Sequence, residues 1–473
     1  MPGAGFDRVL WSSCLGMLGV GANSTAIMAA LPLMQAELSL TPAGVQWAVN
    51  AYLVMSAACI VLGGRAADRF NSRLTSMGGL ALFGVASLII AAADSQAALL
   101  AGRALQGLAA AFAVPGTLAA VNAGAVPERR GAAIGAWTGF LMLGFSIGPL
   151  FGGSVAHFAG WRMIFWIDIP LMAIAVLGLA SAGSNGLLRA GARTGRDDWA
   201  GFVLLGTFMV SLVFGLHALP HIATEPFSVI GPFALALVAL GLLLAVEARV
   251  QAPLVDLGFF RQRGFVLGAA IGALAMLCIM SLLLYFNLYA QSREGLDLTA
   301  LEAGALLLPL GLALLALALS SSGLSGAVGM RKAMMGGAAM IVLACAILWA
   351  AAATDSLAVF AIGFLAMGAG LAVPYALAPR LALSALPQSQ AGQGAGIVNA
   401  STFLGGSIGV ATGAIASLAA GFDGVLAMIA LAGIIAVVLA RGIPEPPDDS
   451  PDARSSARKP PAQGEAADAA LRG

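Results

Sequence analysis

Leu62–Arg73, reading LGGRAADRFNSR, is a basic turn set between two long apolar runs near 44–64 and 75–93. Each run has about the 20 residues with which an α-helix, at 1.5 Å per residue, crosses the hydrocarbon of a bilayer. A short polar stretch between two such runs reads as the connection between antiparallel membrane helices. Outward from it the pattern repeats, with further runs near 9–31, 97–121, 131–156, 163–182, 200–218, 228–247, 264–288, 300–320, 333–353, 357–379, 393–420 and 423–441, fourteen in all. The stretch 407–441 also admits another division. Two of the runs, 200–218 and 228–247, would have no place in a twelve-span count. The runs are continuous and rich in Ala, Leu and Gly rather than alternating, which argues against an outer-membrane barrel. Composition agrees: 60% of residues are apolar and 10% charged, against roughly 25% charged in soluble domains. The 61 glycines suit helices that approach closely in lipid. The expected fold class is an all-α polytopic membrane protein.

Charge sets an orientation, because cytoplasmic loops collect Lys and Arg. With both termini inside, the inner connections and flanks hold Arg8, Arg65, Arg69, Arg73, Arg129, Arg130, Arg189, Arg193, Arg196, Arg249, Arg261, Arg263, Arg331, Lys332, Arg380 and Arg441, and the outer loops only Arg162 and Arg293. One missed helix would reverse every later loop, so the sixteen-to-two bias supports the count as well as the orientation. The first apolar run has no credible cleavage site and reads as a retained span. Residues 183–199 are polar and link the first six runs to the rest, while 442–473 lack large apolar residues and read as a disordered cytoplasmic tail. A net charge of +1 with dispersed arginines suggests no nucleic-acid partner. Cys14, Cys59, Cys278 and Cys345 lie inside apolar runs and read as packing residues. Neither they nor His157, His217 and His221 have metal-ligand spacing, so no metal or cofactor is expected.

Three clusters stand out. The turn carries Gly64, Asp68, Arg69 and Arg73; its plain reading is a positive-inside loop, its functional one a latch in which the Asp68 carboxylate pairs with a guanidinium. Arg103, followed by Gln106 and Gly107, lies about two turns inside the fourth run. A charge at that depth either faces a cavity or partner and is functional, or snorkels to the interface. In the fifth run Gly144, Gly148, Pro149, Gly152 and Gly153 place small residues mostly along one stripe, with a proline to bend the helix.

In this order the clusters resemble the signature series of the major facilitator superfamily of secondary transporters. The turn is similar to Gly-x-Leu-x-Asp-Arg-x-Gly-Arg-Arg, departing at Ala66, Asn71 and Ser72, and Arg103–Gly107 resembles Arg-x-x-Gln-Gly. The glycine stripe matches the exporter signature Gly-x-x-x-Gly-Pro-x-x-Gly-Gly. Gly160–Pro170, GWRMIFWIDIP, resembles the Trp-Arg-Trp-Ile-Phe-x-Ile-Asn-Val-Pro run of the fourteen-helix drug:proton antiporter branch. The resemblance covers about 1–440. It implies a major facilitator fold of two six-helix bundles, 1–182 and 264–441, plus two inserted helices within 183–263. It further implies a latch at Asp68, proton transfer or helix coupling at Arg103, and tight contact of the glycine stripe with the opposite half.

One departure bears on coupling. The branch often has an acid in helix 1, in a pattern like Asp-x-Thr-Ile-Val-Asn-x-Ala-Leu-Pro, where this chain has Asn23 and later Met28. Asp94, Asp168, Glu247, Glu302 and Asp423 all fall near expected span ends. Asp94, close in sequence to Arg103, is then the acid expected to couple, and coupling is expected to be weak or absent. The substrate-cavity candidates are the polar and aromatic residues on apolar runs: Asn23, Asn50, Tyr52, Trp137, Tyr285, Asn287, Tyr289, Gln291, Tyr375 and Asn399. The expected function is export of hydrophobic or amphipathic small molecules (a drug, an antibiotic or a secondary metabolite) from the cell across the inner (plasma) membrane by a monomer, with protons as counter-ion. The alternative is a uniporter or a polar-metabolite exporter without proton coupling. Enzyme classes are disfavoured, since no nucleophile–base pair or nucleotide loop is present, and a sensor would want a folded soluble domain.

Overall fold

Helix boundaries fall where the sequence supplies caps. Thr41 Oγ1 accepts from the Gly44 amide at 2.9 Å, and Pro42 follows in the first turn, where its missing N–H costs nothing. Asn71 caps the next helix: its side chain accepts from the Arg73 and Leu74 amides while its own backbone is extended at φ −178°. The residue standing where the family has Gly therefore works as a cap rather than as a left-handed turn. Thr299 and Glu302 form a reciprocal capping box.

The computed structural model describes residues 3–67, 71–182, 199–250, 253–387 and 390–444, and among these there is no strand. The helices are α1 (Gly3–Leu38), α2 (Pro42–Ala66), α3 (Ser72–Ala91), α4 (Gln96–Gly124), α5 (Pro127–Ala159), α6 (Arg162–Ser181), α7 (Trp199–Ala218), α8 (Pro226–Glu247), α9 (Arg263–Ala290), α10 (Ala300–Leu306), α11 (Leu308–Val328), α12 (Met330–Thr354), α13 (Leu357–Ser384) and α14 (Ala391–Arg441). The expected tail from 445 on, the linker 183–198, and Asp68 and Arg69 lie outside the described residues.

The fourteen apolar runs all lie on helices of the described residues, thirteen of which are long and apolar enough to cross a membrane, with two departures in detail. The run 300–320 is divided at Leu307, ahead of Pro309, so α10 and α11 together make one crossing. The last two runs are joined as α14, whose helical geometry is broken at Ala420 (φ −152°, ψ 31°) and Gly421 (φ 59°, ψ −145°). Gly394 lies against Phe265 and Gly442 against Leu267, so both ends of α14 return to the start of α9 and the chain reverses at Gly421. The rim where α1 begins is called proximal below, and the opposite rim distal.

In the first half α1 packs on α5 and α6, and α3 and α4 pack on each other and on α6 and α2 respectively; in the second, α9 packs on α13 and α14, and α12 on α13 and α14. The halves meet through α2 on α14, α1 on α9, and α5 on α10 and α11. α7 lies against α2 and α14, and α8 against α7; α8 is the least buried of the long apolar helices. The α5 contact is one-sided. At the distal end, the Ala300 carbonyl lies against Gly153 and the Pro149 carbonyl against Gly304. At the proximal end, Gly131 and Gly135 on α5 and Gly323 and Gly326 on α11 face open space. The halves thus meet backbone to backbone at the distal end of this seam.

Candidate functional site

Arg103 is fully buried, at 0% exposure. It lies about 10 Å along α4 from the Gln96 end, too deep for a snorkelling side chain that has packed inward. Its Nε donates to the Ala48 carbonyl at 2.8 Å, and its guanidinium lies 4.7 Å from the centre of the Tyr52 ring. Nη1 donates to Asn23 Oδ1 at 2.9 Å and to Gln106 Oε1 at 2.6 Å. Asn23 Nδ2 in turn donates to Asp168 Oδ2 at 2.6 Å. Gln106 Nε2 donates to Ser87 Oγ at 2.8 Å, and Ser87 Oγ to the same Asp168 Oδ2 at 3.3 Å.

The result is a closed ring, Arg103–Asn23–Asp168–Ser87–Gln106, built from α1, α3, α4 and α6 and backed by α2. Its direction is fixed by chemistry: a guanidinium has donors only, so both amides must turn oxygen to Arg103 and nitrogen onward. Every hydrogen bond therefore runs from the cation toward the carboxylate. Arg103 Nη2 is buried with no hydrogen-bond partner, and Ser24 Oγ donates to the Tyr52 hydroxyl at 3.1 Å beside it.

Two expectations are corrected here. Asp168 is not at a span end in any functional sense: it is 4% exposed and six residues, about 9 Å, inside α6. Asp94 is exposed in the turn after α3, and no hydrogen bond joins it to Arg103 among the described residues. Its neighbour Ala93 instead accepts from Arg162, which also pairs with Glu37 at the distal rim. Sequence reading missed Asp168 and Ser87. The signal available was the pair of departures from the family runs, Asn23 for an acid in helix 1 and Asp168 for Asn in helix 6.

The glycine stripe turns mainly to its own half. Gly144 meets the backbone of Leu18 and Ala22, Gly148 meets Thr25, and Gly152 meets Ala26, all on α1; only Gly153, with the Pro149 carbonyl, reaches α10 across the seam. The expected contact with the opposite half is thus confined to the distal end of the stripe. Of the turn residues, Gly64 is half-buried near the end of α2, and Arg73 donates to the Ala180 carbonyl at the C-terminal end of α6. Arg65 donates to the Pro253 carbonyl at 2.6 Å, and Gln393 of α14 donates to the same oxygen at 2.8 Å, which ties α2 to α14 proximally.

The cavity candidates divide. A small cavity of about 20 Å³, room for one water molecule, lies between the halves and is lined by Thr25, Phe145, Ser146, Ile279, Leu283 and Tyr375 among others. Tyr375 is the one candidate on its wall. Asn23 belongs to the ring and Tyr52 lies against its Arg103, Asn50 bonds His217 of α7 at 3.1 Å, and Trp137 donates to Thr117 at 3.0 Å. Tyr285 donates to the Val410 carbonyl and Asn287 to the Leu283 carbonyl, each at 2.7 Å, and Tyr289 stacks on Phe422 at 4.9 Å. Gln291 crosses the seam to the Ala29 carbonyl at 2.9 Å, and Asn399 is half-buried on α14.

Two helical halves meeting at an apolar seam, with a buried charged ring beside it, define a membrane transporter rather than an enzyme. The sequence model of the Major Facilitator Superfamily matches residues 13–410 and, in a second overlapping match, 331–471. The chain belongs to that superfamily and is a multi-pass membrane protein with a small-molecule substrate. Its relatives include the tetracenomycin C resistance and export protein of Streptomyces glaucescens, 29% identical over 423 residues (87% of this chain, 76% of the relative). They also include the puromycin resistance protein pur8 of Streptomyces alboniger, 30% identical over 406 residues, 82% of this chain and 77% of the relative. The fold is similar to that of a peptide transporter, POT, in complex with alafosfalin: TM-score 0.69, 16% identity, covering 92% of this chain and 94% of that one.

Proposed function

We propose that the chain exports hydrophobic or amphipathic small molecules, of the antibiotic and drug type its relatives are named for, across the plasma membrane in exchange for protons. The two halves, 1–182 and 264–441, rock about the seam, with α7 and α8 standing outside the exchange. Both termini lie in the cytoplasm, which makes the proximal rim the inner one, and the unit is a monomer.

The observation that carries the reading is the ring of Arg103 and Asp168, sealed at membrane depth beside the seam. Ionisable groups survive there only when paired and turned inward, and they mark substrate or ion pathways. The test is uptake of puromycin and tetracenomycin C by inverted membrane vesicles under an imposed pH gradient. Uptake that a protonophore abolishes is expected. Uptake equal to that of vesicles lacking the protein, for both compounds, would overturn the reading.

A further inference from the structure

We propose that Asp168, on α6, is the group that takes up and releases the transported proton, with Asn23 of α1 as its hydrogen-bond donor. The inference rests on the exporter reading above and assigns its coupling residue. Two independent observations meet in it. The first is geometric: Asp168 is the buried carboxyl at the end of both hydrogen-bond routes from Arg103. The second is burial: the carboxyl is 4% exposed and about 9 Å inside α6, where an ionisable group marks an ion pathway. The Asn23 and Asp168 side chains are 2.6 Å apart, so exchanging the two residues would leave one acid and one amide across the same bond.

The chemistry follows from the ring's polarity. Both donated bonds fall on Oδ2, and Oδ1 accepts none from the described residues. Protonation therefore falls on Oδ1: the carboxylate gains H⁺ and becomes a neutral acid, with no other bond made or broken. Neutral Asp168 accepts from Asn23 and Ser87 less strongly than the carboxylate does, so α1 and α3 are released from α6 while Arg103 keeps its charge. Release at the other side reverses the step. Asn23 shares α1 with Ala29, whose carbonyl receives Gln291 from the second half. A change in the ring thus reaches the seam along one helix.

Of the other charged or titratable groups on the helices around α6, Asp7 of α1 and Arg129 and Arg130 of α5 are exposed near the proximal end. Glu37 of α1 pairs with Arg162 at the distal rim, and Arg8 and Arg73 donate to the Ser181 and Ala180 carbonyls at the proximal end. Cys14 lies nine residues toward the proximal end from Asn23, and His157 of α5 is exposed at the distal rim. Arg103, from α4, is the charged group that faces Asp168, with the Tyr52 ring of α2 behind it.

The test uses the purified full chain in liposomes with two readouts. Infrared difference spectroscopy between acid and alkaline pH should show a buried carboxylic-acid band that disappears in Asp168→Asn, shifts in Asp168→Glu, and returns in the exchanged double variant Asn23→Asp/Asp168→Asn. Puromycin transport should lose its dependence on the pH gradient in Asp168→Asn while counterflow exchange persists, and should regain it in the double variant. An unchanged carboxyl band, or pH-driven transport that survives Asp168→Asn, would overturn the proposal. Should Asp168→Asn not fold, Asp168→Glu and the double variant, each retaining one acid in the ring, decide the infrared result. A wild-type protein that moves no puromycin would count against the exporter reading, while the infrared arm still decides Asp168.

Discussion

A guanidinium with its Nε, Nη1 and aromatic face all occupied is held in one pose, and lysine offers neither the fork nor the flat face. Arg103→Lys is therefore expected to reach the membrane and fail in transport, as measured by protein level and vesicle uptake. Arg103→Ala leaves Asp168 buried without its cation, a change that costs about 3–5 kcal/mol. Its thermal midpoint in detergent should fall, and the double variant Arg103→Ala/Asp168→Asn should recover much of the loss. A loss in the double variant equal to the sum of two single losses would show that the pair does not interact. Arg103 was readable from the sequence because a charge two turns into an apolar run has few reasons to be there. Asp168 was not, because depth in α6 depends on where that helix begins, and its partner Asn23 is 145 residues away.

At the scale of elements, α5 has a double task. Gly144, Gly148 and Gly152 seat α1, and Gly153 seats α10 of the other half. The stripe was legible as small residues at helical spacing, but which neighbour each glycine met was not, since periodicity gives a face and not its occupant. Adjacent substitutions should therefore separate the tasks. Gly152→Ala drives a methyl into the Ala26 backbone and should cost about 1–3 kcal/mol of stability, read as a lower melting temperature. Gly153→Ala meets the Ala300 carbonyl across the seam, and should lower the yield of a disulfide engineered between α5 and α10 at the distal rim. Equal effects of the two variants on both measurements would refute the division.

For the whole molecule, the number of crossings came through from the sequence because each run alone satisfies the length of a bilayer and the arginines alternate with it. The state of the seam did not, because it is a balance between two arrangements of the same helices. In this structure Gln291 holds the distal end closed. Gln291→Leu removes one hydrogen bond across the seam, about 1 kcal/mol and so about a fivefold shift in population toward the distally open arrangement. Spin labels on α1 and α9 at that rim should report the longer distance gaining weight, and an unaltered distribution would sink the idea.

The reversal at Gly421 also bears on how the protein is made. Between Ala391 and Arg441 the chain carries a single ionisable residue, Asp423, before the terminal arginine. The insertion machinery therefore meets one apolar stretch long enough for two crossings, with little polar loop to hold outside between them. Its two arms must enter the bilayer together as a hairpin, and the chain folds back over Ala420 and Gly421, the second at φ 59°, ψ −145°, a backbone region that a side chain all but forbids. Gly421→Val should consequently show its defect at synthesis, with a reporter fused to the C-terminus appearing on both sides of the membrane. Protein that does reach the right topology should then carry its substrate normally.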